Sequence, residues 1–294
     1  MVRVEKTFAG KVFDLCNILF LSFLSILCLY PMLYVALASV SDGTRLLAHA
    51  GLLYKPLGFT LSAYGRVFQD PMIVRGYLNT IFIVIVGVTL NMIMTAFGAY
   101  VLSRKGPLFV GVMMRLIVFT MFFSGGLIPL YLTVKALGLF NNLMSLILPN
   151  LIITYNMIIL RTAFAGIPEE LEDSARIDGA NDFTILFRII IPLAKPTMAV
   201  LVLYYAVHHW NAWFHAMIFI RERALYPLQL VLRDILLSYQ MEAMVGSAGA
   251  ADVESLSESL KYATIMVATL PILFLYPFLQ RYFVRGVMIG ALKG

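Results

Sequence analysis

Charge is scarce in this chain. Only 13% of its 294 residues are Asp, Glu, Lys or Arg, while 61% are apolar and the mean hydropathy is +0.88. Soluble domains run at about a quarter charged and about half apolar, so a water-soluble globular protein is excluded. Cysteine is nearly absent. Cys16 and Cys28 stand twelve residues apart with no His or acid cluster nearby; they fit neither a metal site nor a disulfide framework and read as packing residues. A Gly-x-x-x-x-Gly-Lys-Ser/Thr phosphate loop is missing, so the chain has no such cradle for ATP. Finally, no Asp or Glu falls in the core of a long apolar run, Asp14 lying at an edge. Ion-coupled carriers place ionisable groups inside the membrane, which weighs against that class.

What is present is a set of apolar runs of spanning length. A membrane-crossing helix needs about 20 mostly apolar residues. Six segments qualify: roughly 13–40, 78–102, 109–133, 143–164, 197–220 and 263–282. They are continuous rather than alternating, which excludes a membrane β-barrel. The expectation is an all-α membrane protein with six transmembrane helices in one domain, 1–294. Ala36-Leu37-Ala38-Ser39 looks like a signal cleavage site, but the preceding run exceeds the usual h-region, so it reads as an uncleaved first span. With the N-terminus inside, the inward segments hold 13 Lys and Arg and the outward ones nine, Arg104-Lys105 being the clearest inward pair. Both termini then face the cytoplasm. The net charge of +6 calls for no nucleic-acid partner.

Acids concentrate in one place. Six of the chain's 16 (Glu169, Glu170, Glu172, Asp173, Asp178 and Asp182) fall within fourteen residues, in the inward loop between the fourth and fifth spans, 168–196. Pro168 suits a first helical turn, and Glu169 and Glu170 suit the positive end of the helix dipole. Glu172 and Arg176 stand at i,i+4 in the favourable order. Ile167, Leu171, Ser174, Ala175 and Asp178 share one side. Asp178-Gly179 stops the helix, since glycine takes the left-handed conformation without cost. Asp182 is placed to cap a second helix, Phe183 to Ile191, which Pro192 and Pro196 bend into the fifth span. A short surface helix, a glycine turn and a second helix make either a solvated loop or a docking element.

The loop resembles the EAA loop of bacterial ABC importer permeases, whose pattern is Glu-Ala-Ala, three residues, Gly, nine residues, Ile, one residue, Leu-Pro. Here it becomes Asp173-Ser174-Ala175, Gly179, Ile189, Ile191 and Pro192, complete in spacing over twenty positions. Asp replaces Glu, Ser replaces the first Ala and Ile replaces Leu. Ile177-Asp178-Gly179-Ala180 resembles the carbohydrate branch, as do Tyr77-Leu78-Asn79-Thr80, Ser124-Gly125-Gly126-Leu127-Ile128-Pro129, Trp210-Asn211-Ala212-Trp213-Phe214 and the tail from Gly286 to Gly294.

That resemblance implies a permease subunit in the bacterial inner membrane. It would pair with a second permease, two ATP-binding-cassette ATPases and a solute-binding protein. ATP and magnesium would belong to the ATPases, with no cofactor on this chain and no catalytic or metal site. The first loop helix would be the coupling helix, with Glu172, Asp173, Ser174, Ala175, Asp178 and Gly179 at the ATPase contact. Gly290, Lys293 and Gly294 would reach the ATPase interface, the other reading being a frayed tail. The loop around 244–251 would approach the binding protein or serve as a linker.

The fifth span is dense in polar and aromatic groups. Tyr204, His208, Asn211 and His215 share a helical face, with Tyr205 and Trp213 nearby. Aromatic faces beside hydrogen-bonding groups suit a sugar, and equally suit an interfacial belt with helix–helix glue. The resemblance points to oligosaccharide cargo. Arg45, Lys55, Arg66, Arg75, Arg221 and Arg223 outside would tolerate an acidic one such as a uronate or alginate oligomer. An ion-coupled secondary sugar transporter is the main alternative. An intramembrane hydrolase lacks a recognisable nucleophile–base arrangement.

Overall fold

A computed structural model describes residues 7–104, 108–245 and 258–274. Long apolar runs become long helices: α1 spans Phe8–Ser39 and α4 spans Pro71–Ser103, 32 and 33 residues. At 1.5 Å per residue each is about 50 Å long, more than a ~30 Å hydrocarbon core requires. Between them lie the short helices α2 (Gly43–Leu47) and α3 (Ser62–Gln69). Among the described residues there is no β-strand, only an isolated bridge from Ser41 to Phe59.

The other expected spans are broken. The third consists of α5 (Val110–Phe122) and α6 (Leu127–Ala136), bent by 113°. The break falls on Ser124-Gly125-Gly126, where Gly126 has φ of +87°, a conformation that only glycine takes freely. The fourth consists of two 3₁₀ turns between Leu143 and Asn150 followed by α7 (Thr154–Ala165), bent by 50°. Pro149 lies in the second turn.

The acidic loop carries α8 (Glu170–Ile177), α9 (Asp182–Ile185) and, after a single π-helical turn, α10 (Ile191–Leu193). The expected fifth span is divided into α11 (Lys195–Trp210) and α12 (Phe214–Phe219). The segment Asp182–Leu193 meets α11 at 87°, as the prolines require. Beyond it run α13 (Leu228–Val245) and α14, residues 258–274. By length and composition the described residues hold two helices able to cross a membrane, or up to five if each bent pair is one span. The sixth expected span, 263–282, begins in α14, and residues 275–282 lie outside the described residues.

The chain divides into two units, Met1–Asp70 with Ile235–Thr269, and Pro71–Asp234 with Leu270–Gly294. In the first, Ala38, Leu46 and Leu53 form a small core joined by Tyr34 and Tyr262, whose rings meet edge-on at 5.7 Å. Leu53 donates its N–H to the Tyr30 hydroxyl. The rest of α1 is largely exposed, including Cys16 and Cys28, so the packing expected for them is not made among the described residues. An all-round apolar, unburied helix needs lipid or a partner helix around it.

The second unit is organised by α4. Its buried face reads Gly76, Thr80, Ile83, Gly87, Asn91, Thr95, Ala99 and Leu102, a stripe of mostly small or polar residues three or four apart. Small residues let neighbouring backbones approach, and polar ones bond across helices, which is how helices associate in lipid. The stripe packs against α7 and α11. A methyl group on Gly76 would lie 3.1 Å from Leu228 Cα. Asn79 donates to the carbonyls of Ala224 and Tyr226, and Thr80 accepts from Leu228 N–H.

Candidate functional site

Two places gather the residues singled out in the sequence. One is the acidic loop. Helix α8 rests on the body of the second unit through Glu172, only 5% exposed, and Ala175, half-buried against the core of Ile185, Ile190, Phe164 and their neighbours. Asp173, Ser174, Asp178 and Gly179 are exposed, with Leu171 and the 87%-exposed Ile177 beside them. The six expected coupling residues therefore split into two that hold the helix down and four that face outward.

Local contacts differ from the expected ones in an instructive way. Glu172 does not pair with Arg176. Its Oε1 lies 2.5 Å from Nη2 of Arg104, just past the end of α4, while Arg176 reaches over the turn to Asp182 at 2.5 Å. Helical spacing permits an i,i+4 pair, but a buried carboxylate takes the cation that is buried with it. Burial raises the Glu172 carboxyl above its ordinary value, with Arg104 and Arg176 pulling the other way. The second helix is capped by Asn181, which accepts from Thr184 N–H at 2.9 Å; Asp182 is already its first residue and is free for Arg176. Gly179 has φ of +84° and donates its N–H to Arg176 C=O, ending α8 as expected.

The other place lies around the end of α11. A cavity of about 290 Å³ is lined by His208, Asn211, Trp213 and His215, together with Asn150 and Phe214. Four of the six expected pathway residues thus share one space. Tyr204 is 40% exposed and lies outside that lining. Tyr205 points into the core, 0% exposed, with its hydroxyl 2.7 Å from Thr95 Oγ1 and accepting from Ile153 N–H. Asn211 donates back to Val207 C=O, bridging the end of α11, and the chain turns there before α12. His215 stacks on Phe219 at 5.6 Å. The Arg233 guanidinium lies over the Trp213 ring, 4.7 Å from its centroid.

Behind the cavity stands a network absent from the sequence-based expectations. Asn91 donates to the carbonyls of Asn150 and Leu151, both at 2.8 Å, at the break before α7. Its amide orientation is therefore fixed, and Oδ1 accepts from His209 Nε2 at 2.6 Å. Gly87 leaves room for that ring; a methyl group there would lie 2.5 Å from His209 Nε2. A lone amide in the middle of an apolar run is the available signal for Asn91. Arg104 counts in the sequence only as a topological charge. Among the described residues no group of three or more His, Cys, Asp or Glu side chains converges as metal ligands. The tail residues Gly290, Lys293 and Gly294, and the segment 246–251 of the loop expected to face outward, lie outside the described residues.

Comparison with known proteins places these features in context. Residues 8–289 match the family model described as binding-protein-dependent transport system inner membrane component. Protein LplC of Bacillus subtilis (strain 168) is 40% identical over 291 residues, covering 99% of this chain and 98% of its own. The polygalacturonan/rhamnogalacturonan transport system permease protein YtcP of the same strain is 37% identical, covering 97% and 99%. Among solved structures, a chain of a bacterial ABC transporter involved in the import of the acidic polysaccharide alginate superposes with a TM-score of 0.85 at 32% identity. The match covers 95% of this chain and 99% of that one.

Proposed function

The chain belongs to the binding-protein-dependent transport system inner membrane component family, permeases of ABC importers for oligosaccharides, and from that premise we propose that its cargo is a carboxylate-bearing oligosaccharide of the uronate type. The observation that carries this reading is the convergence of His208, Asn211, Trp213 and His215 on one cavity. An indole face suits the apolar C–H side of a sugar ring, and imidazole and amide groups suit its hydroxyl edges. The names of two similar proteins, one a polygalacturonan/rhamnogalacturonan permease and the other an importer of alginate, support an acidic cargo.

In this reading the chain crosses the bacterial inner membrane six times with both termini in the cytoplasm. It pairs with a second permease and two ATPase subunits, and receives cargo from a solute-binding protein outside. The exposed Asp173, Ser174, Asp178 and Gly179 form the ATPase contact, with Glu172 and Ala175 holding α8 in position. The tail residues Gly290, Lys293 and Gly294 extend that contact. Tyr204 and Tyr205 belong to the pathway helix, Tyr205 as the anchor that fixes its rotation. The chain itself performs no hydrolysis; ATP and magnesium act on the partner subunits.

Reconstituting the assembled importer with its binding protein tests the proposal. Uptake of trigalacturonate should require ATP and should be unaffected by a protonophore. Uptake that continues without the ATPase and collapses with the ion gradient would replace it with the secondary-transporter reading.

A further inference from the structure

We propose that Arg233 is the residue that recognises the carboxylate of the cargo, reading it from beside the Trp213 face of the cavity. This rests on the saccharide reading above and goes further, naming one side chain and one substrate group.

Arg233 sits on α13, half-buried. Its guanidinium carbon lies 4.7 Å from the centroid of Trp213, a residue of the cavity wall. Its Nη1 donates to the thioether of Met217 at 3.4 Å, a weak acceptor. Among the described residues it pairs with no carboxylate, unlike Arg104 and Arg176. Its bond to Met217 is at an exposed position, so the remaining N–H groups face solvent and are available to an anion.

The geometry says how that capacity would be spent. Stacking on an indole occupies the flat face of a guanidinium, while its five N–H groups radiate in the plane. Two parallel N–H groups in that plane match the two oxygens of a carboxylate. A uronate differs from a neutral hexose in carrying that carboxylate at the ring edge. Arg233 is outside the cavity lining itself and touches it through Trp213, so a sugar in the cavity would reach it with a substituent extended past the indole. Met217 and Trp213 keep the long side chain ordered, so less rotamer entropy remains to be lost on binding.

The test uses the whole importer, arrested with ATP and a hydrolysis-defective ATPase, and measures equilibrium binding of trigalacturonate and of its methyl ester. The ester keeps the sugar and removes the charge. Arg233→Gln should weaken trigalacturonate binding about tenfold or more, as for loss of a charge-assisted hydrogen bond, and leave the ester within a factor of about two. Arg233→Lys should fall between the two. Equal loss for both ligands, or no loss for either, overturns the assignment. So does unchanged saccharide binding accompanied by loss of bound anionic lipid or of the second permease, which would make Arg233 a headgroup or interface residue. If wild type binds neither saccharide, the cargo reading itself fails, and that result is distinct from a variant-specific one. Subunit yield and co-purification of the ATPase and second permease report whether the variants assemble.

Discussion

Arg104 Nη2 stands 2.5 Å from Glu172 Oε1, joining the C-terminal end of α4 to the acidic surface helix, with both side chains nearly buried. The helix that carries the exposed acids is thereby fixed to the longest helix of its unit. Glu172→Ala would leave the Arg104 charge buried without its partner, at a cost of about 3–5 kcal/mol. Glu172→Gln keeps the shape and a hydrogen-bond acceptor and should cost far less. Thermal unfolding in detergent separates them; equal destabilisation by both would show that the charge itself is required.

The same residue gives a pH dependence. Burial raises the folded-state value of the Glu172 carboxyl above its unfolded value near ~4.3. A raised value means that the folded state favours the protonated form. The contribution to stability is then fully present below the unfolded value and is lost as pH climbs through the folded one. The melting temperature of wild type relative to Glu172→Gln should therefore decline as pH rises out of the acid range toward neutrality. An opposite slope would mean that Arg104 outweighs burial.

Gly179 should be intolerant of any side chain, although the space beside it is open. Nothing lies within 4 Å of where a methyl group would stand, so the penalty comes from φ of +84° alone, about 1–2 kcal/mol for alanine. Gly179→Pro adds loss of the N–H donated to Arg176. The expected outcome is an assembled subunit whose ATPase no longer responds to loaded binding protein, and Ala175→Arg should behave alike by lifting α8 from its seat. Normal stimulation in both variants would remove the loop from coupling.

Asn91→Leu would orphan two part-buried carbonyls and the buried His209 N–H at once. A loss of roughly 2–4 kcal/mol is expected in thermal unfolding. Gly87→Ala should also destabilise, by pressing on His209, and His209→Ala in that background should recover part of the loss. Additive effects would disconnect the two residues.

His208→Ala and Asn211→Ala should each reduce saccharide uptake several-fold, about the effect of one lost hydrogen bond, while ATPase coupling at the loop persists. Loss of ATPase stimulation and of uptake together would instead place both residues in the helix framework.

Long helices and the loop are legible from the chain because apolar runs and helix punctuation are local signals. Spans α1 and α4, the Gly179 stop and the bend at Pro192 and Pro196 all follow from residues next to them. What escapes is pairing at a distance. Arg104 and Glu172 are 68 positions apart and Asn91 and His209 are 118, and only folding decides which buried polar group meets which. The third and fourth spans look continuous because hydropathy does not register a left-handed glycine at 126 or a proline in a 3₁₀ turn at 149. His208, Asn211, Trp213 and His215 cluster because the chain breaks between α11 and α12, which the expected continuous helix does not anticipate, and the inward turn of Tyr205 depends on Thr95 from another helix.

The 87° elbow between Asp182–Leu193 and α11 has a mechanical meaning. Its short arm follows directly on α8 and the Gly179 turn, and its long arm ends at the cavity lined by His208 and Asn211. The long arm is 16 residues, about 24 Å. A tilt of roughly 10° at the elbow would carry His208 and Asn211 sideways by about 4 Å, on the scale of a sugar ring. Under the proposed function the elbow would act as a crank, turning a small movement at α8 into a larger one at the cavity.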